Sequence, residues 1–161
     1  MIVNGQTTGL AKTIIHKADG SQIDASNGNV LKADDDCDGW MTKSGQVNYK
    51  SNTRRLKGKV WVHNLPFYAN IGSESENFKK SGNNWNKSKA NSINTSSAGT
   101  LYDNQCKNSG TLSIGRTRTN KKDVQETRTY WNQVTKSKPG QYGSGHSVTD
   151  ANSSASFTLS L

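Results

Sequence analysis

The sequence predicts an all-β fold, an antiparallel β-sandwich or barrel-like single domain over residues 1–161. Apolar and polar residues alternate in short runs, Gly, Asn, Asp or Ser bounds each run, and Pro occurs only twice. Hydrophobic residues make up 30% of the chain, which is too few for a helical bundle or a large α/β enzyme. Four Trp residues supply the large side chains that a thin core needs.

The first predicted element is a hairpin, in which residues 18–21 turn the chain between a strand in residues 11–16 and a strand around Ile23. Residues 121–134 compete as a helix, but their Thr-Arg-Thr-Tyr-Trp centre is β-branched and aromatic and favours a strand. The further predicted strands are residues 46–50, 56–62, 111–119, 126–134 and 156–161.

The strand at residues 56–62 shows the clearest alternation of apolar and polar residues. Its inward face is predicted to consist of Leu56, Gly58, Val60 and Val62. Its outward face is predicted to consist of Lys57, Lys59, Trp61 and, just beyond the run, His63.

Ser, Asn, Lys and Gly dominate residues 73–100, which contain few large apolar residues. This composition predicts one long polar loop at about 73–100. Loops of such length in compact domains are usually functional or disordered, so we expect either a binding loop that carries Trp85 or a mobile flap.

Charge is distributed unevenly along the chain, whose net charge is +9. Residues 1–38 hold more acids than bases, whereas residues 39–161 hold nearly all of the 21 Lys and Arg. Cations beside aromatic residues on a sheet surface can hold a polyanion or a glycan. The candidate ligand-binding residues are therefore Lys57, Lys59, Trp61, His63, Trp85, Arg116, Arg118, Arg128 and Tyr130. The alternative is that a pI near 9.6 only keeps the protein soluble.

Cys37 and Cys106 are the only two cysteines, and a disulfide between them would stabilise so thin a core. We expect this disulfide, and with it an exported protein in its mature form, because the chain starts without the basic and apolar regions of a signal peptide. No apolar run reaches the ~18 residues that a transmembrane helix needs.

An acidic segment contains Asp34, Asp36 and Asp38, followed by Gly39, and so resembles the opening of a calcium loop. The closing acid of such a loop is missing, because Gly45 occupies its position. A non-helical Ca²⁺ site is one hypothesis, an exposed acidic turn is a second, and pairing of the aspartates with the basic faces of the protein is a third. No other cofactor is predicted.

Function is predicted as non-enzymatic binding at an anionic or glycosylated cell surface, by a secreted toxin, antimicrobial or adhesin-like protein. The expected partner is an anionic glycan, an envelope polymer or a lipid surface, with nucleic acid less favoured because no nucleic-acid-binding motif is present. A secreted nuclease that uses His63 and His146 as acid and base is the first alternative. A structural or coat protein is the second.

Overall fold

The computed structural model describes residues 37–161 throughout, together with five short strands of the preceding segment. The chain forms two compact units, residues 1–36 and residues 37–161. Chains shorter than roughly 40 residues usually need disulfides, metals or oligomerisation to fold alone, and the first unit has 36 residues. The expectation of one domain over the whole chain therefore stays a prediction.

The described strands of the first unit form two small antiparallel sheets. Strands β1 (Ile2–Val3) and β2 (Gln6–Thr7) pair with each other. Strands β3 (Ile14–His16), β4 (Ser21–Asp24) and β5 (Asn29–Lys32) form a three-stranded sheet in that order. Ile15 lies opposite Ile23, so the predicted pairing of these two strands is confirmed.

The second unit is an antiparallel β-sandwich, as predicted. Its strands are β6 (Trp40–Tyr49), β7 (Arg54–Asn64), β8 (Tyr68–Ser81), β9 (Asn84–Lys87), β10 (Ala90–Tyr102), β11 (Asn108–Lys121), β12 (Asp123–Trp131), β13 (Tyr142–Asp150) and β14 (Ser153–Ser160). The first sheet has the order β12-β8-β7-β6, with β9 paired to β8, and the second has the order β11-β10-β13-β14. The sheets face each other strand by strand, β6 on β14, β7 on β13, β8 on β10 and β12 on β11.

The alternation predicted for residues 56–62 is confirmed in β7. Leu56, Val60 and Val62 are completely buried between the sheets, whereas Lys59 on the other face is exposed. Trp61 also lies on the outer face, but only 6% of its surface is exposed. A strand of the predicted kind therefore forms, and its outward tryptophan is covered by its neighbours.

The prediction of one long polar loop at about 73–100 is wrong. This segment forms the end of β8, the hairpin strand β9 and most of β10, and so belongs to both sheets. Several of its inward residues are small and polar rather than apolar, so a hydrophobic pattern does not reveal these strands. Ser73, Ser75, Thr95 and Ser97 are all buried in this way.

A belt of buried polar side chains divides the core into two apolar clusters. The belt consists of Ser73, Ser75, Thr95, Ser97, Ser144 and His146. One cluster contains Tyr49, Leu56, Ala90, Ile93, Val124 and Val148, and the other contains Val60, Val62, Ile71, Leu101, Tyr142 and Leu161. Within the belt, hydrogen bonds connect the two sheets. For example, Thr95 Oγ1 of β10 donates to Ser73 Oγ of β8 at 2.8 Å. Satisfying these groups is what makes a polar interior tolerable.

Candidate functional site

A row of cations packed on aromatic rings runs along the outer face of β7. The guanidinium of Arg55 lies 4.0 Å from the centre of the Trp85 ring. Lys57 Nζ lies 4.8 Å from the centre of the Phe78 ring, and Lys59 Nζ lies 5.7 Å from that of Trp61. These distances are those of cation–π contacts, so the rings hold the cations in place. We call Arg55, Lys57 and Lys59 with their three rings the cation–aromatic row.

The structure brings Trp85 to the same face as Lys57 and Lys59, which the sequence did not predict. The reason is the register of the hairpin between β8 and β9. That hairpin pairs Trp85 with Lys80, on the face that also carries Phe78. Phe78 in turn pairs with Arg55 of β7. Trp85 is therefore part of a strand beside the row rather than a residue on a long loop.

Trp61 and His63 are the less available members of the predicted outward face. Trp61 Nε1 donates to Asn70 Oδ1 at 2.6 Å, and its ring covers Gly72. His63 stacks on Trp40 with ring centres 4.1 Å apart, and its Nε2 lies 2.6 Å from Thr42 Oγ1. Burial and the nearby Lys59 lower the pKa of His63. Both rings are therefore fixed in the sheet surface.

Carboxylates that the sequence analysis missed lie beside these cations. A shallow groove of about 400 Å³ is lined by Lys57, Lys59, Glu74, Glu76 and the polar side chains of Ser44 and Gln46. Burial, and next the charge of Glu76, raises the pKa of Glu74. Lys87 forms ion pairs with Glu76 and with Asp123, and its hydrogen bond to Glu76 raises the pKa of Lys87. The middle of the outer face is therefore mixed in charge.

Arg116 and Arg118 lie on a different part of the surface, where β11 approaches β12. They line a second groove of about 500 Å³ together with Glu74, Asp123, Gln125, Glu126 and Thr127. Arg116 Nη1 lies 3.7 Å from Glu126 Oε2. Arg128 is exposed on β12, and Tyr130 packs against the apolar cluster that contains Leu101. The nine predicted residues therefore do not form one site.

Within residues 37–161, nine Lys and Arg residues gather at one end of the sandwich, and the sequence analysis missed this grouping. Three connections meet there: residues 50–54 between β6 and β7, residues 79–89 around β9, and residues 121–122 between β11 and β12. We call this surface the basic end; its cations are Lys50, Arg54, Arg55, Lys79, Lys80, Lys87, Lys89, Lys121 and Lys122. Within residues 37–161 no carboxylate pairs with Lys79, Lys80, Lys121 or Lys122.

Hydrogen bonds hold the basic end together by joining its connections to one another and to β8. The Lys80 N–H donates to the Thr53 carbonyl at 2.9 Å, and the Asn77 N–H donates to the Lys122 carbonyl at 2.8 Å. Arg54 donates from Nη1 to Ser88 Oγ at 2.9 Å. Because these bonds join the connections to one another, the cations are presented by a fixed frame rather than by separate loops.

Arg54 and its turn are anchored to a buried carboxylate. Arg54 Nε lies 3.5 Å from Asp150 Oδ2, which also bonds to the Tyr49 hydroxyl at 3.0 Å. Burial and Asp150 raise the pKa of Tyr49. The turn includes three successive left-handed residues, Lys50, Ser51 and Asn52, a costly conformation that the surrounding contacts maintain.

The two histidines of the nuclease hypothesis lie on opposite faces of the first sheet. His63 is on the outer face of β7, whereas His146 is 1% exposed and packs from β13 against the inner face at Gly58. His146 Nδ1 lies 2.9 Å from Ser75 Oγ, and Nε2 lies 2.7 Å from Ser144 Oγ. The structure therefore does not bring the two rings together on one substrate.

The aspartates of the calcium hypothesis are mostly outside the described residues. Asp34 and Asp36 lie outside the described residues, whereas Asp38 lies within them. Asp38 Oδ1 accepts a hydrogen bond from the Trp40 N–H at 2.9 Å. Between residues 37 and 161, no three His, Cys, Asp or Glu side chains cluster so that they could hold a metal ion.

Cys37 and Cys106 are brought together at the end of the sandwich opposite the basic end. Cys106 Sγ lies 3.9 Å from the Cys37 carbonyl oxygen. Burial, and next the neighbouring Cys106 thiol, raises the pKa of Cys37 to about 12. The two side chains are therefore neighbours, as a disulfide between them would require.

Within the described part of the chain, no helix is long and apolar enough to cross a membrane. Comparison with known proteins identifies no relationship: no family model, no curated protein and no solved structure matches this chain. The chemistry of the described surfaces is therefore the basis on which its function is inferred.

Proposed function

We propose that this protein is an exported, non-enzymatic binding protein that attaches to an acidic glycan of a cell surface. The binding surface is the basic end with the adjoining Trp85 and cation–aromatic row. One observation carries the proposal: three connections gather exposed cations on a single frame beside a tryptophan. Attachment of this kind serves an adhesin, an antimicrobial protein or a toxin equally well.

The positive charge accounts for the acidic part of the ligand. Lys79, Lys80, Lys121 and Lys122 are exposed, and each can donate to a carboxylate or a sulfate. Arg54 and Arg55 are half-buried and fixed by Asp150 and Trp85, so they lose less side-chain freedom on binding than the lysines do.

Uncharged groups at the same surface favour a glycan over a nucleic acid. The β8–β9 hairpin offers the side-chain amides of Asn83, Asn84 and Asn86, which can exchange hydrogen bonds with sugar hydroxyls. The carboxylates of Glu76 and Asp123 lie close by, bound to Lys87. A carboxylate can accept hydrogen bonds from sugar hydroxyls. The half-buried Trp85 ring supplies an apolar face for a sugar ring.

The test measures binding of the purified chain to a uronic-acid polymer, a neutral glucan and a single-stranded RNA. The Lys79→Glu/Lys80→Glu and Lys121→Glu/Lys122→Glu variants should each bind the uronic-acid polymer at least about tenfold more weakly, since each reverses two exposed charges. Lys43→Glu is the matched control, because Lys43 is exposed on β6, outside the basic end, and its replacement changes charge in the same direction.

Three results would contradict the proposal. The first is equal binding of the charge-reversal variants and the unmodified chain to the uronic-acid polymer. The second is tighter binding to RNA than to the polymer, which would make nucleic acid the ligand. The third is a steady loss of intact polymer or RNA during the assay, which would make the protein an enzyme.

A further inference from the structure

The large apolar side chains exposed within residues 37–161 all lie at one end of the sandwich. They are Phe67 at 72% exposure, Trp131 at 69%, Trp40 at 54% and Val134 at 41%. Trp40 begins β6, Phe67 lies in the turn between β7 and β8, and Trp131 ends β12. The antiparallel register places these three positions at the same end of the first sheet. With Tyr68, we call these residues the aromatic end; it lies opposite the basic end.

The rings of the aromatic end are held in position by their neighbours. Trp40 stacks on His63 with the two ring planes 10° apart. Tyr68 contacts Trp131 with ring centres 5.4 Å apart. The Asn132 N–H donates to the Phe67 carbonyl at 3.0 Å, which ties the turn that carries Phe67 to the end of β12. These rings are therefore presented to solvent on a fixed frame.

The charges around the aromatic end suit an anionic partner. Lys107, Lys136 and Lys138 belong to the connections at this end, and Lys138 Nζ lies 5.2 Å from the centre of the Tyr102 ring. Within residues 37–161, the aspartate side chains at this end accept hydrogen bonds from the backbone. Asp38 bonds to the Trp40 N–H, and Asp103 bonds to the N–H groups of Gln105 and Lys107. The backbone dipoles thereby partly offset the negative charge of these two aspartates, whereas Lys107 and Lys136 add positive charge to this end.

We propose that the aromatic end docks on an anionic lipid membrane and places Phe67 and Trp131 in the interfacial layer. The membrane–water interface favours aromatic side chains beside lysines. The aromatic rings bury apolar surface among the acyl chains, and the lysines bind phosphate headgroups. The net charge of +9 adds attraction to such a surface. This site is separate from the glycan-binding surface at the opposite end and does not rest on it.

The first test measures binding of the whole chain to vesicles of phosphatidylcholine that contain about one-third phosphatidylglycerol. Phe67→Ala and Trp131→Ala should each reduce binding about five- to tenfold, and the double variant should reduce it further. Phe67→Trp should keep binding, because it retains an interfacial ring. Vesicles of phosphatidylcholine alone should bind more weakly than the anionic ones.

A second measurement reports where the rings lie. Lipids brominated near the headgroup should quench the tryptophan fluorescence of the bound protein, and this quenching should be reduced in Trp131→Ala, in which Trp40 is the exposed tryptophan left at the aromatic end. Trp85→Ala, at the opposite end, separates the two proposals: it should weaken binding to the uronic-acid polymer and leave quenching by lipid in place.

Absence of binding to the anionic vesicles would overturn the proposal, as would equal binding by the Phe67→Ala/Trp131→Ala variant. Analytical ultracentrifugation gives a further decisive result. In that result, the unmodified chain forms a dimer that the double variant does not form, and it binds no vesicles. This would show that the aromatic end contacts a second copy of the chain rather than a membrane. Neither result bears on the glycan-binding measurement, which uses the other end and no lipid.

Discussion

At Gly58 the strand β7 passes directly beneath the ring of the buried His146. A Cβ added to Gly58 would lie 2.5 Å from two atoms of that ring. The ring has little freedom to move, because Ser75 and Ser144 lie at hydrogen-bonding distance from its two nitrogens. Glycine is required here by the packing between the sheets rather than by the backbone conformation.

We expect Gly58→Ala to lower the free energy of unfolding by about 2–3 kcal/mol through overpacking. Urea unfolding followed by fluorescence would measure the loss. Gly115→Ala is the control, since a Cβ there would be 3.3 Å from Ser96 Cβ on the outer surface and its effect should be smaller. Equal losses in the two variants would show that the His146 ring does not set the requirement at Gly58.

His146 should make the stability depend on pH. Burial lowers the pKa of His146 from 6.5 to about 4. Above pH 6.5 the ring is neutral in both states, but below it the unfolded chain binds a proton that the folded chain excludes. The free energy of unfolding should therefore fall as the pH falls from 6.5 towards 4, by about 3 kcal/mol in total.

The measurement is urea unfolding at several pH values for the unmodified chain and for His146→Gln. The difference in unfolding free energy between the two should shrink by about 3 kcal/mol as the pH falls from 7 to 4. His63→Gln is the control, because His63 lies on the outer face and should account for much less of the slope. A difference that stays constant with pH would contradict the expectation.

At the scale of elements, Cys37 lies just before β6 and Cys106 lies in the connection between β10 and β11, so a disulfide between them would link these two segments. Oxidation to a disulfide would close a long loop of the unfolded chain and should raise the free energy of unfolding by about 4 kcal/mol. The raised pKa of Cys37 keeps that thiol mostly protonated at neutral pH, so oxidation calls for a glutathione redox buffer.

Mass spectrometry after equilibration in that buffer should show the loss of two hydrogens, and urea unfolding should then give a higher midpoint than for the reduced chain. Cys106→Ser should show neither change. Two thiols that remain free after oxidation would contradict the disulfide expected from the sequence.

The strands themselves were predicted unevenly, and the reason lies in their inward residues. β7 could be recognised because Leu56, Val60 and Val62 are apolar at alternate positions. β10 could not be recognised, because its inward positions include Thr95 and Ser97, which pack in the core through hydrogen bonds. A Ser or Thr side chain can be buried at such a position because it hydrogen-bonds to a side chain elsewhere in the core. The local sequence pattern gives no information about that second side chain.

At the scale of the whole molecule, the basic end and the aromatic end lie at opposite ends of the sandwich. Binding of the uronic-acid polymer at the basic end should weaken steeply as salt rises from about 0.05 to 0.5 M, because exposed charges are screened over roughly 10 Å or less in that range. A filter or surface-binding titration at each salt concentration would measure it. Affinity that does not change with salt would contradict an electrostatic role for the exposed lysines.

The sequence by itself determined the fold class, the outward and inward faces of β7 and the overall positive charge, because alternation and composition are local properties that survive in any strand. It did not determine which cations act together. Lys79 and Lys121 lie 42 positions apart in the chain, yet both belong to the basic end, because the hydrogen bond from Asn77 to Lys122 brings their connections together. Lys57 and Arg116, both predicted as ligand residues, lie beside carboxylates that the sequence analysis did not associate with them. Only the tertiary structure decides these groupings, because the pairing of distant strands sets which side chains meet and which charges are offset.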